Sequence, residues 1–141
     1  MRKIGRENTF LITGSAGFVG FHIAKELLKD GHIVHGIDLM NASYYDPLLK
    51  HARLSVLSQF PSYSHYTVDL AEPEDLEPIK NKILDVDVVV HLAAQACVLR
   101  SFEFPHEYVK DNMVAFQNML ELFRESRADK FLYASSSSVY G

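Results

Sequence analysis

The sequence is short of several things at once. It has one cysteine, Cys97, no tryptophan, and only seven glycines and five prolines in 141 residues. One cysteine cannot close an intramolecular disulfide, and with no second cysteine in CxxC spacing it gives no sign of a zinc site. A reducing, cytoplasmic setting fits that usage. Long apolar runs are also missing. The stretch Thr9 to Thr13, after the polar Met1 to Asn8, is too short for the core of a signal peptide or for a membrane span.

There is little excess charge of either sign. Fourteen basic against eighteen acidic residues leave a net charge of -4, which supplies no broad positive field for nucleic acid or anionic lipid. The seven histidines show neither HExxH nor clustered ligand spacing, so no metal is expected. Glu72, Glu74 and Asp75, and the pair Glu121/Glu125, read as solvated helix faces rather than a carboxylate dyad. The expectation is a soluble, cytoplasmic protein with no nucleic-acid partner and no membrane partner.

What is present is enough for one globule. The length suits one domain, or a piece of one, and 48% apolar residues with 11% aromatics can fill its interior. Short apolar runs alternate with longer amphipathic ones, the pattern of βα units around a parallel sheet covered on both faces. Strands are expected at Thr9–Thr13, His32–Ile37, about Ser64–Val68, Val86–His91 and Lys130–Ser135. Helices are expected at Gly17–Lys29, Pro47–Gln59, Pro73–Lys82 and Pro105–Ser126. In the last of these, Val109, Met113, Phe116, Leu120 and Phe123 form a stripe at helical spacing.

Directly after the first strand comes Gly14-Ser15-Ala16-Gly17-Phe18-Val19-Gly20, a GxxGxxG that opens a helix. In such a loop the first glycine permits the tight turn, the second lets backbone approach a pyrophosphate, and the third allows close packing of helix on strand. The helix N-terminus then offers N–H groups and partial positive charge to phosphate. Asp38 stands eighteen residues after Gly20 at the end of the second strand. An acidic side chain there accepts hydrogen bonds from a ribose and repels a 2′-phosphate, which favours NAD over NADP. No arginine or lysine lies between Ile37 and Tyr45 to offset it. Asp69-Leu70 and Leu92-Ala93-Ala94-Gln95 end the third and fourth strands on the same ligand-binding edge.

Together with His91, Asn112 and the closing Ser135-Ser136-Ser137-Ser138-Val139-Tyr140-Gly141, these residues resemble the extended short-chain dehydrogenase/reductase superfamily, and within it the NAD-dependent nucleotide-sugar epimerases and dehydratases. The segment Tyr44-Tyr45-Asp46-Pro47-Leu48-Leu49-Lys50, with Ala52-Arg53-Leu54 and Ala93-Ala94-Gln95-Ala96, is most similar to UDP-glucuronate 4-epimerases, which act on a UDP-sugar. The run Cys97-Val98-Leu99-Arg100-Ser101 departs from their pattern. The resemblance implies a Rossmann-like doubly wound parallel sheet of five strands in order 3-2-1-4-5, cut short before later strands.

It also implies roles. Gly14, Gly17, Phe18, Val19 and Gly20 would hold the pyrophosphate, Asp38 and Asn41 the adenosine ribose, and Asp69 and Leu70 the adenine. Leu92, Ala93, Ala94 and Gln95 would run along the middle of NAD, with Asn112 supporting the site and Ser135 beside it. Ser136 would be catalytic, hydrogen-bonding the oxygen at the reacting carbon while the nicotinamide takes and returns a hydride. The family's base is the tyrosine of a Tyr-x-x-x-Lys turn, and no tyrosine here has lysine four residues on. The chain is therefore expected to be the N-terminal, cofactor-binding part of such an enzyme, inactive alone, binding NAD weakly and self-associating through its longest helix, with a homodimer in the full-length protein. Two other readings stay open: a sugar-nucleotide dehydratase or reductase of the same superfamily, and a non-catalytic NAD-sensing module.

Overall fold

The computed structural model describes residues 7–41 and 46–141. Tyr44 and Tyr45, which carry part of the subfamily resemblance, lie outside the described residues. Five parallel strands run β1 (Thr9–Thr13), β2 (Ile33–Asp38), β3 (Tyr63–Thr67), β4 (Val88–His91) and β5 (Lys130–Tyr133), in the spatial order β3-β2-β1-β4-β5. The order is the expected one. Register is set at the centre by Leu11 opposite His35 on one side and Val89 on the other.

Period-2 geometry sends adjacent residues of a strand to opposite faces. Leu11, with Ile37 and Val89, enters a core covered by Leu76, Ile83, Met119 and Leu122; Ile12, with Val34, enters a second core covered by Phe21, Ala24, Leu28 and Leu57. Helices α1 (Phe18–Lys29) and α2 (Pro47–Leu57) thus cover one face. On the other lie α3 (Pro73–Leu76), α4 (Lys80–Ile83) and, after α5 (Val98–Glu103) and α6 (Pro105–Val109), α7 (Ala115–Glu125). Each fully buried aliphatic side chain stabilises the fold by about 1.5–3 kcal/mol.

Three local expectations need correction. Pro73–Lys82 is not one helix, because Pro78 lacks an N–H and sits in a 3-10 turn, Glu77–Ile79, between α3 and α4. Val98–Glu103, left outside any element by the sequence pattern, is helical as α5.

Pro105–Ser126 is likewise broken, by a π-helical turn at Lys110–Val114. A π turn holds one residue more than an α turn, so the apolar stripe changes register across it. The buried residues beyond it are Ala115, Met119 and Leu122, one position off the expected Phe116, Leu120 and Phe123. Val109, Met113 and Leu120 are left 54%, 66% and 42% exposed, while Phe116 and Phe123 flank the core against Phe131 of β5.

Candidate functional site

Strand order reverses between β1 and β4, and a cleft of about 310 Å³ opens there at the carboxyl ends of the strands. Ligands of open α/β sheets bind at this switch point. The cleft is lined by Gly14, Gly17, Phe18, Val19, Gly20, Asp38, Asn41, Asp69, Leu70, Leu92, Ala93, Ala94 and Gln95. Residues from four separate chain segments, singled out in the sequence one motif at a time, therefore share one cavity.

Its floor is the turn between β1 and α1. Gly14 adopts a left-handed conformation at φ +69°, which a residue with a Cβ takes only under strain, and that Cβ would stand 3.0 Å from the backbone of Ala93. At Gly20 a Cβ would overlap the carbonyl oxygen of Gly14 and stand 3.1 Å from Ser15 Cα. The third glycine therefore serves the closure of the loop on itself. Ser15 is buried and turned inward, its N–H donating to the Ile37 carbonyl at 3.2 Å and its hydroxyl 3.3 Å from that of Tyr63. Burial pushes the Tyr63 phenol up to about 12, so it stays a neutral strut. Helix α1 starts at Phe18, after Gly17 at its N-cap, with no side-chain cap and no acidic residue in its first turn. Nothing in that turn competes with an anion for its N–H groups.

Asp38 ends β2 as a fixed carboxylate. Its Oδ2 accepts the Ala16 N–H at 3.1 Å, and its Oδ1 accepts the Met40 N–H at 3.1 Å and the Lys50 ammonium at 2.6 Å. Asp38 is 5% exposed and Lys50 13%. Met40, at φ +58°, turns the chain so that its N–H points back to Asp38. No sequence signal marks Lys50 as a site residue, because it meets Asp38 only where α2 returns to the cleft. Arg53, one turn further on, donates to the Ala16 carbonyl at 3.2 Å and lies over the Phe18 ring.

At the β3 edge, Asp69 accepts its own loop's Ala71 N–H at 3.0 Å and the Lys110 ammonium at 3.0 Å. Lys110 also reaches Glu72 at 2.8 Å, and these two carboxylates hold its proton more tightly than usual. The Asn118 amide donates to the Leu70 carbonyl at 2.9 Å, which ties the same loop to α7.

The loop after β4 is held from two sides. Thr13 Oγ1 accepts the N–H groups of Leu92 and Ala93, both at 3.1 Å, and lies 2.9 Å from His91 Nδ1. With both lone pairs taken, the hydroxyl proton goes to His91, whose Nδ1 must be unprotonated. Burial agrees, pushing the imidazole down to about 4. From the far side Asn112 accepts the Gln95 N–H at 2.7 Å and donates to the Gln95 carbonyl at 2.9 Å, while the Gln95 side chain donates to Asp111 at 2.8 Å. Asp111 and Asn112 belong to the π turn, so the same irregularity that shifts the apolar stripe aims them at this loop.

Asn112 thus stands behind the cleft. Ser135 and Ser136 follow β5 on an exposed stretch outside the cleft lining, and Ser136 caps the 3-10 turn Ser137–Tyr140 by accepting the Ser138 N–H at 3.2 Å. Leu39, Val68, Asp111 and Ala115 line the cleft without a sequence signal that marks them, and Ala96, part of the Ala93–Ala96 resemblance, lines it too. No cluster among the described residues can hold a metal ion, and none of their helices is long and apolar enough to cross a membrane.

A glycine loop packed too tightly for side chains, an uncapped helix start and a buried strand-end carboxylate, all at the switch point of a 3-2-1-4-5 sheet, fit a dinucleotide and define a Rossmann-like domain. The chain belongs to the NAD dependent epimerase/dehydratase family, which it matches over residues 10–141. It is 42% identical over 132 residues to the probable UDP-glucuronate 4-epimerase of Rhizobium meliloti, covering 94% of this chain and 38% of that protein. It is 37% identical to the UDP-glucuronate 4-epimerase of Thermodesulfobacterium geofontis, covering 93% and 40%. Among solved structures, the UDP-glucuronic acid 4-epimerase of Bacillus cereus in complex with UDP-glucuronic acid and NAD superimposes with a TM-score of 0.83 at 32% identity, covering 94% of this chain and 41% of that one. The chain spans about 40% of the length of these relatives.

Proposed function

We propose that the chain is the NAD-binding part of a nucleotide-sugar epimerase that inverts C4 of a UDP-sugar, with UDP-glucuronate as substrate. The observation that carries the reading is the shared cleft, in which the glycine loop, Asp38 and the β4 loop converge, taken with the relatives' names. In this reading the backbone of Gly14, Gly17 and Gly20 and the α1 N-terminus, with Phe18 and Val19, take the pyrophosphate. Asp38 and Asn41 take the adenosine ribose, Asp69 and Leu70 flank the adenine, and Leu92 to Gln95 run beneath the middle of the dinucleotide. Asn112 holds that last segment in place, and Ser135 adjoins the nicotinamide end. NAD, when bound, supplies a transient hydride acceptor for the sugar carbon.

Ser136 donates a hydrogen bond to the oxygen on that carbon, where charge changes during reaction. The proton of the sugar hydroxyl goes to the tyrosine of a Tyr-x-x-x-Lys pair, which this chain does not carry. The reading therefore assigns that pair, and the sugar pocket's second wall, to a continuing polypeptide, and a homodimer in the cytoplasm to the whole protein. Ser136-Ser137-Ser138 supports an epimerase over a dehydratase, whose members by resemblance carry Thr-Asp-Glu before Val-Tyr-Gly.

The test has two arms. Calorimetric titration of this chain with NAD should show weak binding, and no heat at millimolar NAD overturns the cofactor site. Incubation of the full-length protein with UDP-glucuronate and NAD should yield the C4 epimer, followed by the sugar proton resonances. NAD binding without turnover of any UDP-sugar would favour the sensing module instead.

A further inference from the structure

At the ribose end of the cleft a second charge stands where the sequence suggested only one. Lys50 and Asp38 form an ion pair at 2.6 Å, with both side chains nearly withdrawn from solvent. Both line the cleft, and they come from different elements, Asp38 from the end of β2 and Lys50 from the first turn of α2. Arg53 adds a further cation one helical turn along, held against the glycine loop by the Ala16 carbonyl.

We propose that Lys50 is a cofactor-specificity residue, which compensates Asp38 and so makes the discrimination between NAD and NADP milder than an acidic residue alone would impose. The proposal rests on the dinucleotide reading given above. An uncompensated carboxylate repels a 2′-phosphate strongly in a partly desolvated cleft, because charge interactions there are screened less than in water. An ammonium in contact with that carboxylate cancels most of the field felt a few ångströms away. It is also positioned to attract the phosphate itself. With Asp38 already accepting from Ala16, Met40 and Lys50, its remaining capacity is closer to one hydrogen bond than to a two-pronged grip on the ribose. Preference for NAD is then set by the pair and not by Asp38 alone.

The experiment is a pair of calorimetric titrations, with NAD and with NADP, on this chain and on the variants Lys50→Met, Lys50→Arg and Asp38→Asn, each checked for folding by circular dichroism. The readout is the ratio of the Kd for NADP to the Kd for NAD, which a purely structural role would leave unmoved even if both affinities fell. Lys50→Met should raise that ratio at least tenfold, and Lys50→Arg should return it to within about threefold of the starting value. Asp38→Asn should lower it at least tenfold, since the carboxylate that repels a 2′-phosphate is then neutral while the Lys50 ammonium stays in the cleft lining. An unchanged ratio in Lys50→Met, or in Asp38→Asn if the methionine variant does not fold, overturns the role given to Lys50 while leaving the dinucleotide site intact. Absence of binding by either dinucleotide to the unmodified chain overturns the site itself, and this proposal with it.

Discussion

Asn112 closes a two-bond clasp on the backbone of Gln95, accepting its N–H at 2.7 Å and donating to its carbonyl at 2.9 Å across seventeen residues of chain. The amide does here what a neighbouring strand would do for a β residue, and it does so for a loop that no strand reaches. Replacement by alanine leaves both backbone groups without their partner, at roughly 1–3 kcal/mol for each that stays buried. Asn112→Ala should therefore lower the unfolding free energy by about 2–4 kcal/mol in chemical denaturation. Asn112→Asp should not restore it, because a carboxylate keeps the acceptor but sets an oxygen against the Gln95 carbonyl, beside Asp111.

Burial of the His91 imidazole makes stability depend on pH in a stated direction. The native imidazole is pushed down to about 4, whereas an unfolded histidine titrates near its ordinary value of 6.5. Between those values the unfolded chain binds more protons, so the contribution is whole above about 6.5, declines as pH falls and is lost below about 4. Its size is on the order of 3 kcal/mol. Urea denaturation from pH 7 downward should show this slope in the parent and a flatter one in His91→Phe, where the ring joins Phe116 and Phe131 without a titrating group.

Two glycines should fail for different reasons. Gly20→Ala forces a methyl group into the Gly14 carbonyl, backbone against backbone, so the loop must open. Loss of NAD binding by more than tenfold, together with a lowered melting temperature, is expected. Gly31 has φ +86° with nothing near the position of a Cβ. Gly31→Ala should cost only the left-handed strain, about 1–2 kcal/mol, and leave binding unchanged.

The exposed apolar residues in and around the π turn should drive association. Val109, Met113 and Leu120, with Leu132 and Tyr133 on the open edge of the sheet, leave large side chains in water. Sedimentation should show self-association below roughly 100 μM, and Met113→Lys with Leu120→Glu should shift the chain toward monomer. A clean monomer in the parent would mean that the exposed residues do not form one adhesive surface.

Ser136 is the residue to change in the full-length protein. Ser136→Ala should lower kcat for epimerisation by on the order of 10²-fold, the effect of removing one donor to a developing charge, with NAD affinity within twofold. An unchanged kcat would move the role to a neighbouring serine.

Much of this domain is written locally. The apolar runs at Thr9–Thr13 and Val86–His91, the glycine spacing after Thr13, and Asp38 at a strand end are read from pattern and chain chemistry and lead to the cofactor loop, while the strand order is implied by the family resemblance and is the one the structure has. What only tertiary structure decided are the contacts that depend on where a remote segment returns. Lys50 meets Asp38 because α2 folds back over the end of β2, twelve residues later. The π turn exists where Asp111 and Asn112 reach Gln95 on another element, and no periodicity in the helix itself announces it. Thr13 looks like an ordinary strand residue until His91, Leu92 and Ala93 converge on its one hydroxyl. Spacing along the chain encodes which face a residue takes. Partners brought together by packing are selected by the whole fold, because their energy arises only after distant backbone has been placed within hydrogen-bond reach.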